Sequence, residues 1–333
     1  MKHNKIKLVI TFMLSSLLLL LSSTGCTKTA ESFIAEEVEN GFLNYLAGGN
    51  MVYFDNSVYL VCNAGDSVNI GTYKINDMGA EKIFEYSQAD YIFNTPRLYQ
   101  YNNKLYNTRI KSGSIQKYND TDKTFIDSEL GIEMFSDTVY ISDDLLVWNS
   151  DSDGTLNVKR NNNQTVELNN KSSKFYVENN TIFFINSDGW LYSYDVKNTD
   201  GQTNFLNYLN EDIPDCIAIC GDYLYYSFSG NNMSDYKTGL YRYSFDNNTT
   251  ELILEKDIYC LNTYSNKLYI STENGIYVYD ENKCSKFSGI KATEIYIFDT
   301  EWLYTNDNYG NVYRIGLNDN NTEKVDFFVN EKR

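Results

Sequence analysis

A chain built only of β-strands, with one four-stranded unit repeated seven times, follows from three features of these 333 residues. First, "NKLYISTENGIYVYDENK" (Asn266–Lys283) and "EWLYTNDNYGNVYRIGLNDN" (Glu301–Asn320) spell nearly the same pattern 35 residues apart. Each reads as an apolar pair ending in Tyr, a short polar turn, a Gly and an alternating aromatic strand. Second, Tyr (30) and Phe (18) are abundant while Pro occurs only at Pro96 and Pro214, a balance suited to pleated, half-buried surfaces. Third, Asn and Asp fill the intervals between apolar runs, where their side chains bond nearby backbone and tolerate left-handed conformations.

The apolar pair recurs as Val58-Tyr59, Leu105-Tyr106, Leu146-Val147, Ile182-Phe183, Leu224-Tyr225, Leu268-Tyr269 and Leu303-Tyr304. Its glycine is Gly71, Gly113, Gly154, Gly189, Gly239, Gly275 and Gly310. A period of 35–50 residues marks solenoids or propellers. Within it, Gly189–Tyr194 and Gly275–Tyr279 alternate with strand periodicity and no helical period is sustained. Polar pairs precede the apolar pair as hairpin turns: Asp55-Asn56, Asn102-Asn103, Asp143-Asp144, Asn179-Asn180 and Ser265-Asn266. Each implies one more strand upstream. A fourth short strand follows, as in Thr250–Leu254 or Glu323–Phe327. Four antiparallel strands per unit, repeated radially, describe a seven-bladed β-propeller. Six or eight blades are the alternatives, because the first two copies diverge most.

"LYTNDNYGNVYRIGLND" (Leu303–Asp319) and "LYYSFSGNNMSDYKTGLYRYSFDNN" (Leu224–Asn248) resemble the degenerate YWTD-type repeats of low-density-lipoprotein-receptor-like β-propellers. In bacteria such repeats form a domain family of unknown function, the DUF5050 type, carried on exported or lipid-anchored proteins of low-GC Gram-positives. The resemblance covers roughly Gly48 to Phe328 and implies the architecture. The full Tyr-Trp-Thr-Asp signature is absent, with Leu303–Asp307 coming nearest, so the receptors' ligands are not carried over.

The ends read differently. Lys2, Lys5 and Lys7 precede an apolar run, Leu8–Leu21, that ends in "SSTGC", the form of an export signal. The run falls short of the roughly 20 residues a membrane-spanning helix needs. Gly25-Cys26 resembles the end of a bacterial lipoprotein signal, which implies a lipidated Cys26 as the mature N-terminus. Ser23 stands where leucine is usual, which leaves ordinary secretion as the alternative. A diacylglyceryl group supplies the two chains that stable anchoring takes. The expected organisation is a signal peptide at 1–25, a tether at 26–46 whose Phe42–Leu46 end could pair with the last blade, and the propeller at 47–333. The location is the extracytoplasmic face of the cell membrane, with a monomer touching the bilayer only through its lipid.

Charge and composition exclude several functions. Residues 1–25 carry three lysines and no acid, which leaves 25 bases against 45 acids, or −20. Without clustered Lys and Arg, nucleic acid is not a partner. The single histidine, His3, lies in the signal, so the mature chain cannot build a Ser-His-Asp triad, a Cys-His pair or an imidazole-ligated metal site. Cys62, Cys216, Cys220, Cys260 and Cys284 contain no CxxC pair and read mostly as buried thiols. Cys216 and Cys260 occupy equivalent places in neighbouring blades, where pairing stays open. Asn149, Asp151, Asp153 and Gly154 follow a calcium-loop spacing, but the twelfth position is Arg160 rather than Glu. Similar acidic turns at Asn186–Gly189 and Asn306–Gly310 point to turn chemistry, with no metal and no cofactor expected.

Tyr106, Tyr225, Tyr269 and Tyr304 sit at repeat positions and are expected to pack between blades. Departures from the repeat are more informative. The interval from apolar pair to glycine is 6 or 7 residues in five copies, 12 from Tyr59 to Gly71 and 14 from Tyr225 to Gly239. Insertions go to loops, and loops on a rigid scaffold carry function. One face would gather Asn63–Asn69, Asp90–Arg97, Tyr208–Asp215 and Gly230–Lys237. Tyr91, Phe93, Arg97, Tyr208, Asp212 and Tyr236 are its ligand-binding candidates. The expected function is non-catalytic binding of an extracellular protein, peptide or glycan. The alternative is a carbohydrate-active hydrolase or lyase using carboxylates and Tyr in the funnel, although no motif selects a carboxylate pair.

Overall fold

The computed structural model describes residues 49–328 apart from 64–69, 77–78, 88–95, 102–103, 110–113, 129–134, 142–144, 151–152, 161–163, 173, 179, 210–212, 230–236, 281, 299–300 and 308. The chain divides into two units, Met1–Ile34 and Ala35–Arg333, and every described residue belongs to the second. Cys26, the signal and the Phe42–Leu46 segment therefore lie outside the described residues.

All seven blades are present, each a four-stranded antiparallel meander in sequence order, with a fifth strand added to the first. Blade 1 is β1 (Met51–Phe54), β2 (Ser57–Asn63), β3 (Ile70–Asn76) and β4 (Gly79–Glu85). Blade 2 is β5 (Arg97–Tyr101), β6 (Lys104–Arg109), β7 (Ser114–Asn119) and β8 (Thr124–Asp127). Blade 3 is β9 (Phe135–Ile141), β10 (Leu145–Ser150), β11 (Thr155–Arg160) and β12 (Val166–Lys171). Blade 4 is β13 (Lys174–Glu178), β14 (Thr181–Ile185), β15 (Trp190–Asp195) and β16 (Asn204–Tyr208). Blade 5 is β17 (Cys216–Cys220), β18 (Tyr223–Phe228), β19 (Gly239–Ser244) and β20 (Thr250–Leu254). Blade 6 is β21 (Ile258–Tyr264), β22 (Lys267–Thr272), β23 (Gly275–Asp280) and β24 (Lys283–Ser288). Blade 7 is β25 (Ala292–Ile297), β26 (Trp302–Asp307), β27 (Val312–Gly316) and β28 (Thr322–Lys324). A last short strand, β29 (Phe327–Phe328), completes the chain. The first strands of successive blades contact one another, as in β13, β17, β21 and β25, so they are innermost.

The repeated residues each have a local reason. Asp55-Asn56 and Ser265-Asn266 have positive φ at both positions, the type I′ hairpin geometry that matches strand twist. The apolar pairs fill the space between blades: Tyr59, Tyr106, Tyr225, Tyr269 and Tyr304 are all buried. Tyr243 and Tyr279, equivalent on the third strands, donate to the side chains of Asn248 (2.7 Å) and Asn282 (3.2 Å), turn residues in the left-handed region. Tyr194, at the same position in blade 4, donates to the Asn198 carbonyl at 2.6 Å. Tyrosine is thus common because one side chain fills the core and closes the turn beyond it.

The repeat glycine has two causes. At Gly71, Gly239 and Gly275 a Cβ would stand 2.4, 2.4 and 2.2 Å from the carbonyl oxygens of Phe84, Leu254 and Ser288 on the neighbouring outer strand. The register shift between third and fourth strands brings these carbonyls close. Gly189 and Gly310 instead take positive φ inside the turn.

The ring closes in a way the sequence does not predict. Glu323–Phe327 was expected to be one outer strand; β28 ends at Lys324 and the chain leaves blade 7. Val325 is buried at the blade 7–blade 1 seam, and the Asp326 carbonyl accepts from Ala80 N–H at 2.8 Å. β29 then pairs in parallel with β4, Phe327 opposite Ala80 and Phe328 opposite Glu81. At the other end, the Gly49 carbonyl accepts from Leu98 N–H of blade 2 at 2.9 Å.

Candidate functional site

Because each blade is an antiparallel meander, the second-to-third-strand turns and the blade-to-blade connections leave by one face. Two clusters gather there, one at the axis and one at the rim of blade 4.

The axial cluster is made by the starts of inner strands. Asn50, just before β1, donates its backbone N–H to the Tyr296 hydroxyl (2.9 Å) and its side-chain amide to Glu294 Oε2 (2.9 Å). Tyr296 donates its hydroxyl to the same oxygen at 2.6 Å. Burial pushes the Glu294 carboxyl above the usual range, against the opposing pull of the Tyr296 hydroxyl, the Arg97 charge and Asn50. Arg97 opens β5, two blades on, so this candidate residue does reach the axis.

Lys174, Cys216 and Tyr259 stand at the starts of the inner strands of blades 4, 5 and 6. The ladder of β21 skips Tyr259 between Ile258 and Cys260, a bulge that re-aims the side chain and leaves the tyrosine 45% exposed. The Cys216 thiol donates to the Tyr259 carbonyl at 3.4 Å. Cys216 is partly open to solvent, yet desolvation by the packed protein pushes its thiol up to about 11, against the pull of Lys174 and Ser227. Cys216 and Cys260 are both free thiols, so the bridge left open by the sequence is not formed; Cys220 and Cys260 are buried, Cys216 is half-buried and Cys284 is exposed on β24.

The rim cluster is a ladder of five aromatic rings. Phe184 on β14 is fully buried and stacks on Tyr192 of β15 (5.3 Å, 18°). Tyr192 meets Phe205 of β16 at 6.0 Å, and Phe205 meets Trp190 at 5.3 Å. Trp190 meets Tyr208 edge-on at 6.5 Å. The two inner rings are buried, whereas Trp190, Phe205 and Tyr208 are 44%, 55% and 42% exposed. The register explains the alignment. Tyr192 pairs with Phe205 and Trp190 with Tyr208, with a shift between them that skips Leu206. Phe205 and Tyr208 therefore share a face although they are three residues apart.

Of the six candidates, Arg97 lies at the axis and Tyr208 on the rim; the structure does not bring these two together. Tyr91, Phe93, Asp212 and Tyr236 lie outside the described residues. Trp190, Phe205, Asn50, Glu294 and Tyr296 went unnoticed in the sequence. One signal was available: Trp190 follows its repeat glycine where the other blades carry Thr72, Ser114, Thr155, Leu240, Ile276 and Asn311.

The acidic turns use their oxygens locally. Asp307 accepts from the backbone of Tyr309 and Asn311 and from the Asn311 side chain, at 2.8–2.9 Å. Partial burial raises that carboxyl, but the Asn311 and Tyr309 hydrogen bonds outweigh it and hold it below the usual range. Asp153 accepts from the Thr155 hydroxyl (2.7 Å) and N–H (3.0 Å), which lower it likewise. Asn186 accepts from the N–H of Asp188 and Trp190. This is the turn chemistry expected from the sequence.

Solved structures share the architecture. PorZ, a bacterial surface component of the type-IX secretion system of Porphyromonas gingivalis, aligns over 90% of this chain and 39% of its own, at 12% identity and TM-score 0.55. The extracellular domain of a one-component system from B. thetaiotaomicron aligns over 91% of this chain and 48% of its own, at 13% identity and TM-score 0.50. A computationally designed protein, Ika8, aligns over 80% of this chain and 82% of its own, at 13% identity and TM-score 0.51. The chain thus spans less than half of the two bacterial proteins, and identities this low establish a common fold. No family model and no curated protein matches the chain.

Proposed function

We propose that this chain is a lipid-anchored binding protein of the extracytoplasmic cell surface, which holds a protein, peptide or glycan on its loop-rich face without transforming it. The observation that carries the reading is the blade 4 ladder. Three large aromatic side chains, seated on rigid strands and backed by buried Tyr192 and Phe184, stay open to solvent together. Clustered exposed rings of this kind mark interaction surfaces and supply most of an interface's energy. Lipidation at Cys26 would tether the propeller to the membrane through the residues that follow it. Two proteins of similar fold, a bacterial surface component and an extracellular domain, are compatible with that location.

The test is thermal unfolding of the full chain against wall-glycan fragments and extracellular peptides, with crosslinking on intact cells for protein partners. A ligand at 100 times its dissociation constant adds about 2.7 kcal/mol. Stabilisation or a specific crosslinked partner, lost with Trp190→Ala, supports the reading. Loss of membrane attachment in Cys26→Ala tests the anchor. A hydrolase or lyase is the second reading, favoured by Glu294, whose carboxyl desolvation raises above the usual range, beside Tyr296. Turnover of a bound glycan that is abolished by Glu294→Gln while binding persists would establish it instead.

A further inference from the structure

We infer that the blade 4 ladder, with the edge of β16 beside it, is a docking site for an extended, Arg- or Lys-bearing peptide segment of another protein. The inference rests on the surface-binding reading above and names its partner chemistry.

Three features select this occupant. The first is charge. From 175 to 236 the sequence holds nine carboxylates and a single base, Lys197. Lys197, with Asp195 and Asp200, lies at the β15–β16 end of the blade, opposite Trp190. Asp188 lies in the turn that leads into Trp190. The nearest bases before the stretch are Lys171, whose ammonium lies 3.9 Å from Asp153, and Lys174 on the inner strand. Asp188 beside the ladder and the acidic excess of this stretch favour an arriving cation over an anionic polymer.

The second feature is ring geometry. Trp190 is inclined 58° to Phe205 and 80° to Tyr208, which makes steps rather than the flat platform a sugar ring stacks on. Guanidinium groups lie well on such steps, since the face of Trp attracts cations more strongly than other rings. The protein already uses this pairing internally: the Arg314 guanidinium lies 4.8 Å over the Trp302 ring, and that of Arg242 lies 4.3 Å over Tyr223.

The third feature is the strand edge. β16 is the last strand of its sheet, and among the described residues nothing pairs with its outer side. The same edge in blade 1 is taken by β29, which adds to β4 in parallel and inserts Phe327 against Tyr73 at 5.1 Å. An incoming extended segment would extend blade 4 as β29 extends blade 1, with main-chain bonds giving affinity and alternate side chains reaching the rings.

The experiment uses the full chain and three fluorescent probes: a decapeptide alternating Arg and Val, one alternating Glu and Val, and an N-acetylglucosamine hexamer. The Arg peptide should bind, and Trp190→Ala and Phe205→Ala should each weaken it at least tenfold. Tyr309→Ala, which removes an 89% exposed ring from blade 7, should leave it unchanged. Phe205 is the more exposed side chain, so its variant keeps the test decisive if Trp190→Ala misfolds. Arg-peptide binding that ignores both blade 4 substitutions is nonspecific attraction to an acidic surface and overturns the inference. So does Trp190-dependent binding of the hexamer without the peptide, which would leave the broader surface-binding reading intact. Absence of binding by all three probes also sinks this inference, whereas the broader reading fails only if the ligand panel and the cell-surface crosslinking are empty as well.

Discussion

The side-chain amide of Asn50 donates to the Glu294 carboxylate at 2.9 Å although 244 positions separate them. This contact joins the entrance of the first blade to the inner strand of the last. With β29 on the outer edge of β4, the ring is fastened both near the axis and at its rim. The two fastenings differ in chemistry, one a partly buried polar network and the other strand pairing with an aromatic insert, so they can be tested separately.

Glu294 makes the inner fastening sensitive to pH. Its folded carboxyl holds its proton above the ordinary value of 4.5. The folded state therefore binds a proton that the unfolded chain has released. The resulting stability is fully present below 4.5 and is lost as pH rises through the folded value. Glu294→Gln keeps an acceptor oxygen for Asn50 and Tyr296 but cannot ionise, so its stability should fall less than that of the wild type as pH rises above 4.5. Urea unfolding of both proteins from pH 4 to 8 reads the difference, and parallel curves would refute it.

A repeat glycine and a glycine outside the repeat should respond according to what stands opposite them. Gly275 has φ of 119° and a neighbouring carbonyl where a Cβ would go; Gly275→Ala should cost about 1–3 kcal/mol through backbone strain. Gly289 has nothing within 4 Å of the same position. Gly289→Ala should be neutral or stabilise by up to about 1 kcal/mol by narrowing the unfolded ensemble. Equal shifts of the urea midpoint would show that close approach is not why the repeat keeps glycine.

Phe327 should hold the outer fastening. Its ring packs edge-on against buried Tyr73, and aromatic pairs of this kind contribute about 0.5–1.5 kcal/mol beyond area burial. For a partly buried ring, Phe327→Ala should cost about 2 kcal/mol in all. It should also free the β4 edge, an exposed template for association. Lower stability together with concentration-dependent dimers in light scattering is expected. A monomer of unchanged stability would mean that closure depends on the axis alone.

The blades were legible because their causes are local. An alternating strand, a two-residue hairpin turn and a glycine beside a shifted outer strand leave the same marks at Gly71, Gly239 and Gly275 whatever lies elsewhere in the chain. The candidate site was legible only in part. Tyr208 was found because it borders a long connection, and Arg97 for the same reason. Trp190 and Phe205 were passed over because each, alone, reads as one more aromatic residue in a strand of aromatics.

The amino-acid sequence by itself determined the unit, its sevenfold repetition and the turns, since these depend on neighbours within a few residues. Only the tertiary structure decided how the ring closes and which rings form a surface. Glu323–Phe327 reads as one strand until the pull of Ala80 and Tyr73, far away in the chain, divides it. Phe205 and Tyr208 would take opposite faces of a regular strand, and the skipped Leu206 puts them on one. Strand alternation is set by the backbone of each segment, whereas register shifts and closing contacts are set by partners that meet only when the blades assemble.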